Sequence, residues 1–525
     1  ELSTSSPRSL EPISRCRIKP ETVKRICTAG GRPTNSDLPY FNLETGDSGV
    51  IAVVGWPGQW AARFVRDARN CLRVAAGQEL THMILHPGEE IRTPLTVLQF
   101  YRGDWIDGQN TWRRWMWTHN MPHPGGRTPG PQMAACSSHQ YGEMINADEA
   151  SQKMFIDRYL GEGLALDYWW MDAGWYWNKH GWPHVGTWEV DTNRFPNGLR
   201  AISDYAHSRG VKTIVWFEPE RVAADTWLSN THPEWIHGGS GGGLLKLGEP
   251  AVLEWLTSHI DGLINRQGVD LYRQDFNMDP LDSWRSDDKP DRQGIAEIRH
   301  VVNYLAYWDE LRRRHPDMLI DSCASGGRRN DIETLRRAVP LLRSDYLLEP
   351  ISQQNHTYGI AFWIPFYGTG INQFDAYGMR SCLCPHVTAC YDMRRQDQDY
   401  GAVRRLLRQW REEIAPNYRG DYYPLTPYSV DDNVWVAWQF NRPESGQGMV
   451  QAFRRTKCEE RATLVRLRGL DPQTRYRFAN IDTDRTWTIS GRDLLDRDLR
   501  VETDRQPDAI VLTYERIDWP PAQGS

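Results

Sequence analysis

The stretch 268–278 brings three polar side chains to the end of a predicted strand. Residues 269–272 have the composition of a short strand, and Arg273, Asp275 and Asn277 follow at every second position. Because side chains alternate between the two faces of a strand, these three share one face. A cation, a carboxylate and an amide at one strand end are typical of an active-site edge. A buried ion pair between Arg273 and Asp275 would produce the same pattern.

This strand belongs to a long series in which strands alternate with helices. The alternation predicts a (β/α)₈ TIM barrel, an α/β fold, although the pattern alone leaves an open doubly wound sheet as the alternative. Predicted strands lie at 132–137, 166–171, 212–217, 269–273, 318–321, 341–344, 371–374 and 386–390. Predicted helices lie at 147–162, 199–209, 250–267, 291–315 and 396–414, with apolar residues at three- and four-residue intervals in the longer ones.

Two β-rich regions flank the predicted barrel. Residues 1–120 are predicted as an arm followed by a short N-terminal β-sandwich remnant, with 1–45 in loops and strands at 49–54, 83–85 and 95–100. A Pro/Gly-rich linker at 121–131 begins the catalytic barrel, which we place at 121–420. Alternating strands after Pro416 predict a C-terminal antiparallel β-sandwich domain at 421–525.

Acidic and aromatic residues gather at the predicted C-terminal strand ends, where barrels of this kind carry their chemistry. Five ends hold Asp172, Trp216 together with Glu218, Asp275, Cys323 and Asp345. Two carboxylates between aromatic walls are what glycoside hydrolysis requires, and Asp275 and Asp345 would face each other across the mouth. Carboxyls about 5–5.5 Å apart would retain the anomeric configuration, and carboxyls about 6.5–9.5 Å apart would invert it. The 24 Trp residues also favour a carbohydrate-active protein, although Trp fills cores as well.

Other function classes find little support. The net charge of −6 without a basic block argues against a nucleic-acid or membrane partner, and no apolar run is long enough to span a bilayer. The Gly-rich run 238–243 lacks a phosphate-loop ending, so we predict a loop over the mouth. Cys382, Cys384, His386 and Cys390 could ligate zinc, but the Cys-x-Cys spacing fits poorly, and we expect neither a metal nor a cofactor.

The nine cysteines are scattered and form no recognisable disulfide framework. The Ser/Pro-rich start, 1–12, lacks an initiating Met and resembles no signal peptide, so we expect a processed or trimmed chain. The cellular location stays open, with secretion or a periplasmic location compatible with the sequence.

Four ordered motifs carry a family resemblance. Residues 216–220 read Trp-Phe-Glu-Pro-Glu, 272–277 read Tyr-Arg-Gln-Asp-Phe-Asn, 322–328 read Ser-Cys-Ala-Ser-Gly-Gly-Arg, and 344–345 read Ser-Asp. In this order they resemble the melibiase group of α-galactosidases, glycoside hydrolase family 36, across the barrel and into both β domains. The resemblance implies a retaining exo-α-glycosidase acting on a carbohydrate substrate.

The resemblance also implies residue roles. Asp275 would be the nucleophile and Asp345 the general acid/base, Asp172 would bind sugar hydroxyls, and Trp216 would wall the pocket. Cys323 and Gly326 would lie near the C2 side of the sugar, although Cys323 could also be a packing residue. Arg273 would contact the substrate where the family usually has Lys, and Asn277 would line the same pocket. Glu218 and Glu220 could equally hold their own loop, with Arg221 as a partner.

Departures from the family pattern leave the sugar open. The tandem acidic pair common in the family reads Asp172-Ala173 here, and Ser325 lies inside the glycine-rich turn. A pocket beside Ala324 and Ser325 would admit an acetamide, so the alternative is an α-N-acetylgalactosaminidase, or an α-galactosaminidase, with the same mechanism. An α-galactosyl transferase is a further alternative, and a non-catalytic sugar-binding module a third. The family often forms homo-oligomers, but the short N-terminal β domain weakens that expectation.

Overall fold

The computed structural model describes residues 17–517, so the start at 1–12 and Cys16 lie outside the described residues. Its centre is a curled parallel sheet of seven strands. In sheet order the strands are Leu319–Ser322, Leu271–Gln274, Lys212–Phe217, Tyr168–Met171, Gln132–Cys136, His386–Ala389 and Gly368–Ile371. This confirms the predicted TIM-like α/β fold with flanking antiparallel domains.

The predicted strand at 341–344 does not form. The segment around it nevertheless fills the eighth place, because Ser322 N donates to Val339 O (2.9 Å) on one side and Arg343 N donates to Gly368 O (3.0 Å) on the other. Pro340 has no backbone N–H, and the Leu341 N–H is taken by the Asp321 carboxylate at 2.8 Å. A regular ladder therefore cannot continue here, although the backbone bonds still close the ring.

Helices surround the sheet and bury its outer face. They are Trp105–Trp115, Ser138–Tyr141, Glu149–Gly161, Arg200–His207, Trp227–Thr231, Pro250–Gln267, Leu281–Asp287, Ile295–Arg314, Ile332–Leu335, Pro350–Ile360, Ala376–Cys382 and Tyr400–Gln409, followed by a π-helical turn at Trp410–Ile414. The predicted helix at 250–267 matches in both bounds, since Pro250 begins it and Gly268, at φ +68°, ends it in the left-handed conformation. The remaining predicted helices are present with shifted ends.

Strands Thr22–Cys27, Trp60–Arg66 and Leu72–Gln78 form one three-stranded antiparallel sheet of the N-terminal region, and Tyr40–Thr45, Ser48–Gly55 and Leu95–Arg102 form another. The prediction of loops throughout 1–45 is therefore wrong for the two early strands. Thr22–Cys27 is an edge strand in which Val23 and Arg25 are exposed and Lys24 is partly buried, so burial does not follow hydrophobicity and the alternation is masked. Short two-stranded ladders pair His82–Met83 with Arg292–Gln293 and Arg221–Ala223 with Gly242–Leu244.

The C-terminal region is antiparallel β structure. Its six-stranded sheet contains Asp421–Pro424, Trp435–Arg442, Gln447–Arg454, Asp508–Arg516, Arg475–Asn480 and Thr486–Ser490 in that order. Ala462–Val465 pairs separately with Leu499–Glu502, and the short helix Gly491–Asp496 lies between the two sheets in the chain. Within residues 17–517, no helix has the length and apolar character of a membrane span.

The strand faces sort as the sequence predicts. Leu271 joins the small apolar cluster inside the barrel together with Trp170 and Ile214, whereas Tyr272 belongs to the large core between sheet and helices. Arg273 is buried with its guanidinium carbon 4.4 Å from the centre of the Trp170 ring, which places it on the inner face. The alternation therefore directs Arg273 and Asp275 to the barrel mouth.

Candidate active site

Asp275 lies directly after the strand Leu271–Gln274 and is held by several donors. Its Oδ1 accepts hydrogen bonds from the N–H groups of Phe276 (2.8 Å) and Ser325 (3.0 Å), and its Oδ2 accepts one from Trp216 Nε1 (3.2 Å). Burial alone would raise the pKa of this carboxyl. The positive charge of Arg273, the Asn277 carboxamide and the two backbone donors outweigh burial and lower the pKa below its ordinary value. Asp275 is thus a fixed, ionised carboxylate.

Asp345 lies at the end of the irregular segment that completes the barrel. It is accessible from the mouth, yet the protein around it raises its pKa to about 6 through desolvation and the negative charge of Asp275. The cations Arg273 and Arg328 oppose this rise, and the charge of Asp172 adds to it. Asp345 therefore holds its proton to higher pH than an ordinary aspartate, within the electrostatic reach of an aspartate that does not.

Arg273 does not form the ion pair with Asp275 that the sequence suggested. Its Nη1 donates to Asp321 Oδ2, and the two residues are cross-strand partners in the parallel sheet. Sequence reasoning missed this role of Asp321. The available signal was that Asp321 ends the predicted strand 318–321. Because parallel neighbouring strands pair in register, this acid could be expected beside Arg273 at the end of the strand 269–273. Arg273 still acts on Asp275 through its charge, which lowers that pKa.

Replacing Arg273 by Gln is expected to shift the acidic limb of kcat/KM to higher pH. Loss of the cation disfavours the ionised form of Asp275, so the pKa of Asp275 rises. The same variant leaves the buried Asp321 without its partner, which costs about 3–5 kcal/mol of folding free energy and lowers Tm. The matched control is Arg273→Lys, which keeps the charge and should keep the acidic limb in place. An unchanged limb in Arg273→Gln would contradict the electrostatic role.

Trp216 and Asp172 border Asp275 from the two preceding strands. Trp216 is buried, and its indole contacts Asp275 directly as described above. Asp172 is half-buried, accepts from Ala173 N at 2.8 Å and lies 3.4 Å from Ser138 Oγ. Burial raises its pKa, while the charge of Arg273 lowers it in part. The strand ends thus bring Asp172, Trp216, Arg273, Asp275 and Asp345 into one electrostatic cluster.

The turn 323–327 presents its backbone to Asp275. Ser325 has φ +48° and Gly326 has φ +78°, so the chain turns in the left-handed region and aims the Ser325 N–H at the carboxylate. Cys323 is fully buried, and its sulfur accepts a hydrogen bond from Gly326 N at 3.3 Å. Cys323 and Gly326 therefore shape this turn, which agrees with the alternative that Cys323 is a packing residue. The expected contact of these two residues with the sugar stays a prediction.

Arg32 of the N-terminal region reaches this turn, and the sequence gave no sign of it. Its Nη1 donates to Ser325 Oγ (3.0 Å) and to Phe276 O (3.2 Å), and its Nε donates to Asp279 (3.0 Å). Such a contact spans almost 300 residues of chain. The N-terminal β region therefore helps hold the site, beyond packing on the barrel.

Glu218 and Glu220 bind neighbouring side chains of the protein, which agrees with the alternative that they hold their own loop. Glu218 forms a forked ion pair with Arg221, whose Nε lies 2.7 Å from Oε1. Glu220 accepts from Gln274 (2.8 Å), His300 (2.9 Å) and Arg329, and these partners overcome burial to lower its pKa to about 2. Both carboxylates lie behind the strand ends and are fully buried.

The buried Arg273 Nε has no hydrogen-bond partner among the described residues. Asn277 Oδ1 accepts from Ser325 Oγ at 2.8 Å, and the same carboxamide stabilises the Asp275 carboxylate. A buried donor without a partner is rare in folded proteins, so a bound ligand is a natural source of its acceptor.

The zinc alternative does not assemble in the described part of the chain. Cys384 Sγ donates to His386 O (2.9 Å), whereas Cys390 Sγ lies 3.8 Å from Cys136 Sγ on the neighbouring strand. Residues 17–517 contain no group of three or more metal-ligating side chains gathered at one point. The Gly-rich run also has a structural explanation. A Cβ on Gly238 would lie 1.8 Å from Gly242 O, so the tight turn before Gly242–Leu244 excludes larger residues.

Comparison with known proteins agrees with this geometry. Residues 147–372 match the family model for melibiase. The chain is 24% identical over 359 residues to α-galactosidase Mel36A of Lactobacillus acidophilus, an alignment covering 64% of this chain and 48% of that protein. It is 23% identical over 517 residues to α-galactosidase C of Emericella nidulans, covering 88% of this chain and 63% of that protein. The chain thus spans about half the length of the first curated relatives it matches.

Solved structures extend the likeness to all three regions. A variant of the family 36 α-galactosidase AgaA from Geobacillus stearothermophilus, in complex with stachyose, superposes with a TM-score of 0.84 at 17% identity, covering 95% of this chain and 72% of that one. The α-galactosidase from Lactobacillus brevis gives a TM-score of 0.80 at 17% identity, covering 97% and 72%. Residues 147–372 therefore match the melibiase family model, and the chain has the fold of the glycoside hydrolase family 36 α-galactosidases.

Proposed function

We propose that this protein is a retaining exo-α-glycosidase that removes terminal α-galactosyl residues through a covalent glycosyl-enzyme intermediate. The observation that carries the proposal is the opposite displacement of two neighbouring carboxyl pKa values. That of Asp275 is lowered, and that of Asp345 is raised to about 6. Environments that push two titratable groups apart assign one of them as the ionised group and the other as the acid.

The first half of the reaction uses both aspartates. Asp275 attacks C1 of the sugar, so a C1–O bond to the carboxylate forms as the bond to the leaving oxygen breaks. Asp345 gives its proton to that oxygen, which leaves as an alcohol. In the second half, the Asp345 carboxylate takes a proton from water as the water oxygen attacks C1. Asp275 is then released and Asp345 is protonated again, and two inversions leave the product in the α configuration.

The surroundings of Ser325 favour a galactoside over its 2-acetamido relative. The Ser325 hydroxyl is already committed to Asn277 and Arg32, and Ala324 is buried in an apolar cluster with Phe276. The Ser325 hydroxyl proton is therefore not available to an acetamide, and Ala324 offers no polar group. The carbohydrate complexes of the family 36 structures, with stachyose and raffinose bound, support an oligosaccharide ending in α-galactose as the substrate class.

Hydrolysis of p-nitrophenyl α-galactoside, compared with its α-N-acetylgalactosaminide, tests the proposal. We expect turnover of the first, negligible turnover of the second, and α-galactose as the first product seen by proton NMR. Faster cleavage of the acetamido substrate would instead support the α-N-acetylgalactosaminidase reading. An acceptor-dependent product with little free sugar would support the transferase. A β-anomer as first product would refute the retaining mechanism.

A further inference from the structure

The segment after the first barrel strand places Glu143 beside Asp172. Met144 N donates to Ala173 O at 2.7 Å, so the residue following Glu143 is bonded to the residue following Asp172. Arg194 clamps the two segments together, since its Nη2 donates to Gly174 O (2.6 Å) and its Nη1 to Ala147 O (3.2 Å). Glu143 therefore stands on a rigid platform shared with a site carboxylate.

The backbone of Glu143 is held in an unfavourable conformation. Its φ is +60°, a left-handed value that side-chain-bearing residues adopt infrequently, and its N–H donates to Ser138 O at 3.0 Å. Such conformations persist only when the surroundings enforce them, and they cluster at functional sites. In this turn the side chain of Glu143 is half-buried, and its carboxyl interacts with Asp172 and Arg273 of the barrel.

Charged and polar groups from four barrel strands face this carboxyl. They are Cys136 at the end of the first strand with Ser138 after it, Asp172 after the second, Arg273 on the fourth and Cys390 after the eighth. Burial and the charge of Asp172 raise the pKa of Glu143 to about 8, with Ser138 and Arg273 opposing the rise. At neutral pH Glu143 is therefore mostly a neutral carboxylic acid, which can both donate and accept a hydrogen bond.

Asp172 has no acidic neighbour at its own strand end, because the next residue is the buried Ala173. The carboxyl of Glu143 interacts with Asp172 instead. We propose that Glu143 binds a hydroxyl of the terminal pyranose together with Asp172. This inference rests on the proposed glycosidase function and adds a substrate-binding residue to it.

A neutral acid suits this position better than a second carboxylate. Asp172 and Asp275 already bring negative charge to the mouth, and a further ionised group would repel both. A protonated Glu143 avoids that repulsion and offers a donor that Asp172, once ionised, does not have. The pair would then present one acceptor and one donor to a sugar hydroxyl, which needs both.

Galactose affinity of Glu143 variants, measured by isothermal titration calorimetry, tests the inference. Glu143→Ala should weaken galactose binding by roughly 10-fold and raise KM more than it lowers kcat, since one hydrogen bond in the site is lost. Glu143→Gln keeps a neutral donor and acceptor and should bind within about 3-fold of wild type, inside the ordinary cost of one imperfect hydrogen bond. Tm of each variant distinguishes lost binding from lost folding. Glu149→Gln, six residues along the chain, is the matched control and should change nothing.

The pH dependence gives a second, independent readout. As pH rises through about 8, wild-type Glu143 ionises and loses its donor, so galactose affinity should fall, whereas Glu143→Gln should hold its affinity. Wild-type affinity retained by Glu143→Ala, or an equal alkaline loss in Glu143→Gln, would overturn the inference. If the wild-type enzyme cleaves galactosides while the variants give either of these contradicting results, only the role of Glu143 is refuted and the proposed function stands. A wild type that neither binds galactose nor cleaves galactosides would remove both.

Discussion

Replacement of Asp275 by alanine is expected to lower kcat on p-nitrophenyl α-galactoside by several orders of magnitude. Removing the nucleophile of a covalent mechanism can cost as much as about 10⁶-fold in kcat. Asp275 suits that role because Trp216, Ser325 and Phe276 orient its two oxygens, and the nearby cation keeps it ionised. The variant should keep its affinity for galactose within a few-fold.

Azide separates the nucleophile from other carboxylates in this variant. With Asp275→Ala, a small external anion can enter the space left by the carboxylate and attack C1, so azide should restore part of the rate and yield β-galactosyl azide. Asp282→Ala removes an exposed carboxylate from the nearby helix Leu281–Asp287 and should behave as wild type. Near-normal turnover by Asp275→Ala would show that another group attacks C1.

Replacement of Asp345 by alanine is expected to lower kcat by roughly 10²–10⁴-fold on substrates with poor leaving groups, the usual contribution of general acid–base catalysis. The decrease in the glycosylation rate should be smaller for a nitrophenyl substrate, because nitrophenol leaves with little protonation. Deglycosylation should stay slow, because no base activates the water. Burst release of nitrophenol in stopped-flow measurements would detect this change of rate-limiting step. Azide should speed the second step and give the α-galactosyl azide, the opposite anomer to that from Asp275→Ala.

The pH profile follows from the same two groups. Asp345 must be protonated to donate, so kcat/KM should fall as pH rises through about 6. Asp275 must be ionised to attack, and because its pKa is lowered, the acidic limb should lie below the ordinary aspartate value. The optimum is therefore expected on the acidic side of neutrality. A basic limb that stays in place in Asp345→Asn, measured on a nitrophenyl substrate, would contradict the assignment of that limb to Asp345.

Regular periodicity made most of the barrel predictable. Helix 250–267 begins at a Pro and ends at a Gly, and its bounds match those of the structure. The alternation around Arg273 likewise predicted its inner face, which the Trp170 contact bears out. The strand predicted at 341–344 does not form, because the Leu341 N–H donates to the Asp321 side chain instead of to a backbone carbonyl. No local pattern reveals this contact with a residue 20 positions away.

Contacts between distant segments explain what the sequence could not supply. The ion pair between Arg273 and Asp275, one of the two alternatives, does not form, because Asp275 is near in sequence whereas Asp321 is the partner across the strands. The substrate contact expected of Arg273 stays a prediction. Arg32 and Glu143 were missed for a related reason. Neither lies at a predicted strand end. Arg32 reaches the site from the N-terminal region, and Glu143 lies in the loop after the first barrel strand, which the Met144 N–H bonds to Ala173 O. Motifs at strand ends therefore predict the candidate reacting groups, while residues that surround them depend on tertiary packing.

Trapping of the glycosyl-enzyme intermediate tests the central claim most directly. A 5-fluoro-α-galactosyl fluoride should inactivate the wild-type protein with a mass increase of one fluorogalactosyl group. Peptide mass spectrometry should place that group on the carboxylate of Asp275, and galactose should protect against labelling. Label on any other residue, or rapid turnover of true α-galactosides with inverted product and no covalent adduct, would contradict the account.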